Sequence, residues 1–266
     1  GVYKEKLILP SWLTNITICG EDRDNTIITW DDHANIKMPV GGLDSEAAVK
    51  CKPMGTFRTY TLKVQGSYIT LKNITIENNA AKLGQAVSLH LEGDHILVQN
   101  CRLLGNQDTV YTGIANNRSA FYDCYIEGTT DFIFGPGRAW FENCEIRSKA
   151  NSYITAASSP AGQEYGYVFN KCKLTAEPGV DKVYLGRPWR PYAATLFMNC
   201  EMGSHIRPEG WHNWGKQSNE QTARYSEYNN HGAGAATKGR VAWSRQLTKK
   251  EAAKVTIKNV FGEEAW

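Results

Sequence analysis

A short phrase that ends in Asn-Cys or a close variant recurs along the middle of this 266-residue chain. In each copy, an apolar run containing Phe, Val or Leu precedes one or two polar residues and then a cysteine. The copies end at Cys101, Cys124, Cys144, Cys172 and Cys200, so the repeat length varies between 20 and 28 residues. A sequence that repeats at such intervals predicts a solenoid, in which each repeat packs only against its neighbours.

The residues around each cysteine favour strands over helices. They alternate between apolar and polar over about five to seven residues and are rich in Ile, Val, Phe, Tyr and Thr. The middle of the chain has no long window of helical periodicity. We therefore expect an all-β fold, a parallel β-helix in which the repeated Asn and Cys side chains form stacked internal ladders.

Two regions outside the repeats have a different character. Residues 203–239 contain Pro208, Gly210 and several aromatic residues, which predicts long irregular loops on one face of the solenoid. The pattern Thr-Lys-Lys-Glu at 248–251 is a capping box and predicts a short C-terminal helix that covers an end or flank of the solenoid. No linker divides the chain, so residues 1–266 are expected to form a single β-helix domain.

Composition and charge exclude several classes of protein. The chain is 41% hydrophobic and 21% charged, which is typical of a folded protein. A net charge of +3 without a dense basic block argues against nucleic acid and is compatible with an anionic polymer. No apolar run reaches the roughly 18 residues that a membrane span needs. The cysteines and histidines lack metal-binding spacings, so we expect no metal site and interpret the repeated cysteines as core residues.

Two aspartates occupy the same position in successive repeats. Asp108 and Asp131 each follow their repeat's cysteine by seven residues, so stacked turns would place both carboxylates side by side. The same stacking is expected to add Gln85, Gln107 and Arg187. Arg187 would keep one aspartate ionised for attack, the other would hold a proton, and the amides would donate N–H groups to an oxyanion. Such a set suits acyl transfer without serine, histidine or metal.

Structural roles remain open for the same residues. Asp108 could be an ordinary turn residue, Gln85 could be solvated, and Asp131 could form a purely structural ion pair with Arg187. Three tryptophans could pack in the core, cover the site or stack on sugar rings: Trp189, Trp211 and Trp214.

Several phrases together resemble the pectin methylesterase (pectinesterase) family and span nearly the whole chain in the family order. The most specific are Gly-Thr-Thr-Asp-Phe-Ile-Phe-Gly at 128–135 and Leu-Gly-Arg-Pro-Trp at 185–189. The others are Gly-Val-Tyr-Lys-Glu at 1–5, Gly-Thr-Phe at 55–57, Gln-Ala-Val-Ser-Leu at 85–89 and Gly-Asn-Gln-Asp-Thr-Val-Tyr at 105–111. The resemblance implies a right-handed parallel β-helix that hydrolyses the methyl esters of homogalacturonan to pectate and methanol.

The resemblance also implies a role for each site residue. Asp131 is the expected nucleophile, and Asp108 is the expected general acid and, later, general base. Gln85 and Gln107 would stabilise the oxyanion, while Arg187 would orient Asp131 and keep it ionised. The residues expected to line the substrate groove are Tyr111, Phe134, Trp189 and Trp211. No cofactor is implied.

The resemblance also implies the partners, the oligomeric state and the location of the protein. The expected partners are homogalacturonan and a proteinaceous inhibitor, with no nucleic acid or membrane, and the expected form is a monomer that is secreted or periplasmic. The family usually has a strand and a helix before the Gly-x-Tyr-x-Glu phrase, and this chain starts at that phrase. The N-terminal cap of the β-helix is therefore expected to be absent from residues 1–266.

Two other functions compete with this one. A pectin depolymerase of the same fold would carry Gly-His-Gly and Arg-Ile-Lys phrases or an acidic calcium cluster. The phrases do not occur, and Asp31-Asp32 next to His33 is better explained as a solvated turn. A non-catalytic pectin-binding homologue would keep the aromatic residues and lose the acids, whereas Asp108 and Asp131 are both present.

Overall fold

The computed structural model describes residues 1–40 and 50–262, and this part of the chain winds into a stack of coils. Three parallel sheets, of eight, seven and nine strands, run along the stack, and a regular coil adds one strand to each sheet. The parallel β-helix predicted from the repeat is therefore confirmed. A separate two-stranded antiparallel sheet is formed by Lys37–Val40 and Lys50–Pro53.

The sheets are named A, B and C in the order in which the chain first enters them. Sheet A contains Val2–Lys4, Ile27–Trp30, Thr75–Asn78, Arg102–Leu104, Tyr125–Gly128, Glu145–Ser148, Lys173–Ala176 and Glu201–Met202. Sheet B contains Leu7–Leu9, Leu62–Val64, Leu89–Leu91, Val110–Thr112, Ile133–Gly135, Tyr153–Ala157 and Tyr184–Gly186. Sheet C contains Ile16–Cys19, Ile69–Lys72, Ile96–Gln99, Arg118–Tyr122, Arg138–Glu142, Tyr167–Asn170, Ala194–Met198, Arg224–Tyr228 and Arg245–Gln246. The short helices are Thr56–Arg58, Asn219–Thr222, Ala233–Ala235, Lys249–Ala252 and Ile257–Phe261.

Like residues stack from coil to coil inside the solenoid. Phe121, Phe141, Phe169 and Phe197 form a column whose successive ring centres are 4.3–4.5 Å apart. The five repeated cysteines are buried, and each thiol lies 3.4–3.5 Å from a carbonyl oxygen of the preceding coil. These cysteines are small core residues with weak S–H donors, as the sequence predicted.

The asparagine ladder lies elsewhere than expected. The asparagines occupy the corner between sheets C and A, where φ is positive, for example 54° at Asn73, 49° at Asn100 and 55° at Asn199. Asn tolerates this left-handed conformation better than most residues. The side chains link neighbouring coils, since Asn100 Nδ2 donates to Asn73 Oδ1 at 2.9 Å, but they remain partly exposed. The prediction of an internal asparagine ladder was therefore wrong, because the corner turns only the following cysteine into the core.

The segment predicted as irregular loops contains a further strand of the solenoid. Arg224–Tyr228 pairs with Ala194–Met198 and extends sheet C. Its buried side chains are Tyr225 and Glu227, and Arg240 donates to the Glu227 carboxylate at 2.7 and 3.1 Å. The sequence did not predict this strand because strands are recognised by apolar residues at the inward positions. Here one inward position is occupied by Glu227, which is paired with Arg240.

The predicted C-terminal helix begins at its capping box. Thr248 Oγ1 accepts a hydrogen bond from the Glu251 N–H at 3.2 Å, and the Glu251 carboxylate accepts one from the Thr248 N–H at 2.8 Å. The helix Lys249–Ala252 is followed by Ile257–Phe261, which packs against Trp140 on the outer face of sheet C. The C-terminal helices therefore lie on the flank of the solenoid, away from sheet B.

Candidate active site

Two aspartates are stacked where the chain enters sheet B in successive coils. Strands Val110–Thr112 and Ile133–Gly135 pair with Val110 opposite Ile133, and Asp108 and Asp131 each lie two residues before those positions. The register between Ile133 and Thr155 places Tyr153 at the same position in the next coil. The side-by-side placement predicted from the repeat phase is therefore observed.

Both aspartates have left-handed backbone geometry and little contact with solvent. The φ angle is 67° at Asp108 and 51° at Asp131, and the exposed fractions of the two residues are 8% and 5%. Non-glycine residues seldom adopt this conformation, and Asp is one of the few that tolerate it. Strained backbone of this kind is concentrated at functional sites because it aims side chains that regular strands would not.

Arg187 holds one of the two carboxylates. Its Nε donates to Asp131 Oδ1 at 2.9 Å and its Nη2 donates to Asp131 Oδ2 at 2.7 Å, which is a bidentate pair. The guanidinium lies between two rings, with Cζ 3.9 Å from the centre of Tyr153 and 3.8 Å from the centre of Trp214. In the described part of the chain, the Asp108 carboxylate has no comparable partner. The two aspartates thus have the same backbone position but different neighbours.

Burial and charge make the two carboxyl groups unequal acids. Burial and the neighbouring Asp131 raise the pKa of Asp108 well above its usual range. Burial also raises the pKa of Asp131, but the hydrogen bonds and positive charge of Arg187 oppose that rise. The expectation from the sequence included only the ion pair with Arg187, which lowers the pKa of Asp131. It did not include the desolvation of Asp131, which here outweighs the effect of the ion pair. Asp108 is accordingly the group that retains a proton when the pair loses its first one.

Two side-chain amides face the same space. Gln85 and Gln107 line the cleft together with both aspartates. Their backbone carbonyls accept hydrogen bonds from Ala34 and Ala86, which fixes each residue in its coil. Within residues 1–40 and 50–262, neither side-chain amide is engaged in a hydrogen bond. Their N–H groups are therefore available to an oxygen bound between them and the aspartates.

The cleft over sheet B has a volume of about 190 Å³ and aromatic walls. Phe134 forms part of its floor. Tyr111, which the sequence placed in the groove, packs against Phe134 with ring centres 4.7 Å apart but is not itself one of the lining residues. Trp189 lies on the other side of Phe134, with ring centres 6.0 Å apart. The lining residues are Thr56, Phe57, Gln85, Gln107, Asp108, Asp131, Phe134, Ala156, Arg187, Trp189 and Trp214.

One residue predicted to line the groove is in the core instead. Trp211 is 1% exposed, stacks on Tyr225 at 4.3 Å and donates from Nε1 to Glu227 at 3.4 Å. It cannot contact a ligand in the cleft, so its assignment to the substrate groove was wrong. The nearby Trp214 lines the cleft, together with Phe57, which the sequence analysis named only within the Gly-Thr-Phe phrase and did not assign to the groove. The sequence could not distinguish two tryptophans three residues apart, because the loop between them has no strand period from which their directions could be derived.

The side chains and helices of the described residues also bear on metal binding and on membrane insertion. In 1–40 and 50–262, no group of three or more His, Cys, Asp or Glu side chains is arranged to hold a metal ion. None of the helices in these ranges combines the length and apolar character needed to cross a membrane.

Comparison with known proteins agrees with the fold and the cleft. A family model described as Pectinesterase matches residues 1–264. Pectinesterase 31 of Arabidopsis thaliana is 37% identical over 254 residues, which cover 95% of this chain and 78% of that protein. Among solved structures, the pectin methylesterase from carrot has a TM-score of 0.87 and 30% identity, covering 98% of this chain and 82% of its own.

A further solved structure is a pectin methylesterase in complex with a hexasaccharide. It has a TM-score of 0.81 and 29% identity to this chain, and the match covers 100% of this chain and 87% of the other. Family model, relative and structures all match almost the whole length of the chain. The chain therefore belongs to the pectinesterase family of carboxylic ester hydrolases.

Proposed function

We propose that this chain hydrolyses methyl esters at the C6 carboxyls of homogalacturonan, and that Asp131 and Asp108 carry out the reaction. The observation that carries the assignment of roles is the unequal aspartate pair. Arg187 holds Asp131 through two hydrogen bonds of 2.7 and 2.9 Å. Asp108 is buried at the same position one coil earlier, and among the described residues it has no such partner. One carboxylate is thus oriented as an anion, and the other is suited to hold a proton.

In the first step, an Asp131 carboxylate oxygen attacks the ester carbonyl carbon of the substrate. The carbonyl oxygen becomes an oxyanion, which the amide N–H groups of Gln85 and Gln107 stabilise. The tetrahedral intermediate collapses by breaking the bond to the methoxy oxygen, and Asp108 gives its proton to that oxygen as methanol leaves. The product of this step is an anhydride between Asp131 and the galacturonate carboxyl.

In the second step, the ionised Asp108 takes a proton from water, and the resulting hydroxide oxygen bonds to the galacturonyl carbon. The bond to the Asp131 oxygen then breaks, so Asp131 leaves as a carboxylate paired again with Arg187. Asp108 is protonated and the product is a free uronic acid. Each group therefore returns to its starting state without a metal or a cofactor.

The aromatic cleft suits a polysaccharide rather than a small ester. Phe57, Tyr111, Phe134 and Trp189 form a row of rings beside the aspartates, and such rings stack on the apolar faces of sugars. The structurally similar pectin methylesterase in complex with a hexasaccharide supports an oligosaccharide in this cleft. We further propose that the enzyme acts on cell-wall pectin outside the cytoplasm, as a monomer, and that a proteinaceous inhibitor is a partner.

Methanol release from highly methylated pectin tests this proposal, with parallel assays for new reducing ends and for unsaturated products. We expect methanol without either of the other products. New reducing ends or unsaturation without methanol would instead identify a depolymerase, and pectin binding without any product would identify a non-catalytic binding protein.

A further inference from the structure

The loop that carries Trp214 is anchored by a histidine that lies outside the cleft lining. The backbone N–H of Trp214 donates to His212 Nδ1 at 3.0 Å. The His212 backbone N–H in turn donates to the Gly186 carbonyl at 3.1 Å, directly before Arg187. His212 therefore connects the end of a sheet B strand to the loop that covers Arg187.

This hydrogen bond fixes the protonation state of the imidazole. A backbone N–H is only a donor, so Nδ1 of His212 must offer its lone pair. Nδ1 is then unprotonated, and the ring is the neutral tautomer with its proton on Nε2. An imidazolium has a proton on both nitrogens and cannot accept this bond.

The bond holds Trp214 in a conformation that the backbone alone does not favour. Trp214 has a φ of 63°, in the left-handed region that bulky residues rarely adopt. Its ring nevertheless lies 3.8 Å from Arg187 Cζ, opposite the Tyr153 ring at 3.9 Å. Removing the acceptor would let the Trp214 backbone relax and would open one side of the space in which the Arg187 guanidinium is held.

The surroundings of His212 keep it neutral. Its ring packs against Tyr153 from one strand and Tyr184 from the next, with ring centres 5.3 Å apart in both cases. In the part of the chain that the structure describes, the charged groups that face it are the cations Arg187 and Arg207, and Arg207 is paired with Glu209 at 3.3 Å. Burial and these two positive charges lower the pKa of His212 below its ordinary value.

We propose that His212 is a positioning residue for the ester hydrolysis: as a neutral acceptor it fixes Trp214 on Arg187 and thereby keeps the guanidinium aligned with Asp131. The inference depends on the proposed function for its kinetic consequence. Protonation of His212 breaks the bond to Trp214 and adds a third positive charge beside Arg187 and Arg207. Turnover then falls on the acidic side for a reason separate from protonation of the aspartates.

Two substitutions at one position test this role. His212→Leu removes the acceptor and is expected to lower kcat about tenfold, the loss of one hydrogen bond, with little change in KM. In His212→Asn, Oδ1 can replace Nδ1 as an acceptor that does not titrate, so this variant should recover most of that loss near neutral pH. The ratio of kcat for His212→Asn to kcat for wild type should also rise as the pH falls. His231→Leu, an exposed histidine in another loop, is the matched control and should leave the kinetics unchanged.

A second readout does not depend on activity. Nitrogen NMR of the histidine side chains in the wild-type protein should show His212 with an unprotonated Nδ1 and a proton on Nε2 at neutral pH. A protonated Nδ1 overturns the inference, as do wild-type kinetics in a folded His212→Leu variant. If thermal unfolding shows that His212→Leu does not fold, the pH-dependent ratio for His212→Asn decides, and a ratio independent of pH overturns the inference. If wild type releases no methanol, the proposed function fails, while the tautomer still tests the hydrogen bond.

Discussion

The turn that carries Asp108 and the turn that carries Asp131 are one piece of structure repeated in consecutive coils. Both aspartates lie two residues before paired strand positions, both have positive φ, and both are buried. They differ in what the later coils supply, because Arg187 reaches Asp131 with two hydrogen bonds, whereas no cation within residues 1–40 and 50–262 makes a matching pair with Asp108. The solenoid repeat thus provides two equivalent backbone positions. The residues on the following coils then give the two carboxyl groups different partners and therefore different acidity.

Asp131→Asn is expected to cause the greatest loss of activity, because it removes the aspartate that Arg187 orients. An amide cannot act as the nucleophile, whereas Asn tolerates the φ of 51° at this position, so the fold should remain. We expect the kcat for methanol release to fall by roughly 10⁴-fold or more, as when other nucleophiles are removed. Circular dichroism and thermal unfolding would verify the fold. Asp123→Asn, at an exposed corner of the same coil, is the matched control, and high activity of Asp131→Asn would exclude Asp131 as the nucleophile.

Asp108→Asn is expected to have the second largest effect and to depend on the leaving group. Loss of a general acid and base should lower kcat on methyl esters by about 10³-fold. An ester with a more acidic alcohol needs less protonation as it leaves, so formation of the anhydride should be impaired far less. Comparison of the first-turnover rates on the two esters measures this difference. An equal loss on both esters would mean that Asp108 does not protonate the leaving group.

Arg187→Lys makes the surroundings of the two aspartates more alike. An ammonium cannot form the bidentate pair with Asp131, so one charge-assisted hydrogen bond is lost. We expect kcat to fall on the order of a hundredfold, equivalent to that bond. Arg245→Lys, an exposed arginine beside Glu251, controls for the substitution itself. Unchanged turnover in Arg187→Lys would show that one donor is sufficient to orient Asp131.

The smallest effect concerns stability and its dependence on pH. Burial raises the pKa of Asp108 in the folded state, so that state binds a proton more tightly than the unfolded chain. The contribution of Asp108 to stability is therefore greatest below the unfolded pKa of about 3.9 and is lost as the pH rises toward the folded pKa, by at most about 1.4 kcal/mol per pH unit. Asp108→Asn does not titrate, so its unfolding temperature relative to wild type should increase as the pH is raised above about 4. A difference that stays constant with pH would contradict the raised pKa.

The sequence predicted most of the features that depend on a residue's position within the repeat. It predicted few of those that depend on how deeply a side chain is buried. The repeated cysteines and the spacing of Asp108 and Asp131 are enough to predict the solenoid and the stacked pair, because residues at equal positions meet in adjacent coils. The sequence did not distinguish Trp211 in the core from Trp214 in the cleft, since both lie in a loop without a period. It also missed the strand Arg224–Tyr228, where a charge faces inward.

The desolvation of Asp131 and the hydrogen bond from Trp214 to His212 could not be predicted for a related reason. The desolvation depends on how closely the surroundings pack around the Asp131 carboxylate. The hydrogen bond spans only two residues and depends on the left-handed backbone of Trp214, which no sequence pattern indicates. A motif identifies which residue types meet, whereas the pKa and the orientation of each group follow from the packing around them.

Trapping the covalent intermediate would show whether Asp131 attacks the ester while Asp108 serves as the acid and base. Asp108→Asn would be mixed with an oligogalacturonate ester of an acidic alcohol, and the protein would then be analysed by intact mass spectrometry and peptide mapping. We expect an added galacturonyl mass on the peptide that contains Asp131, because attack proceeds while the water step lacks its general base. An adduct on any other residue, or turnover of this ester through Asp131→Asn at the rate of wild type, would contradict the division of roles between the two aspartates.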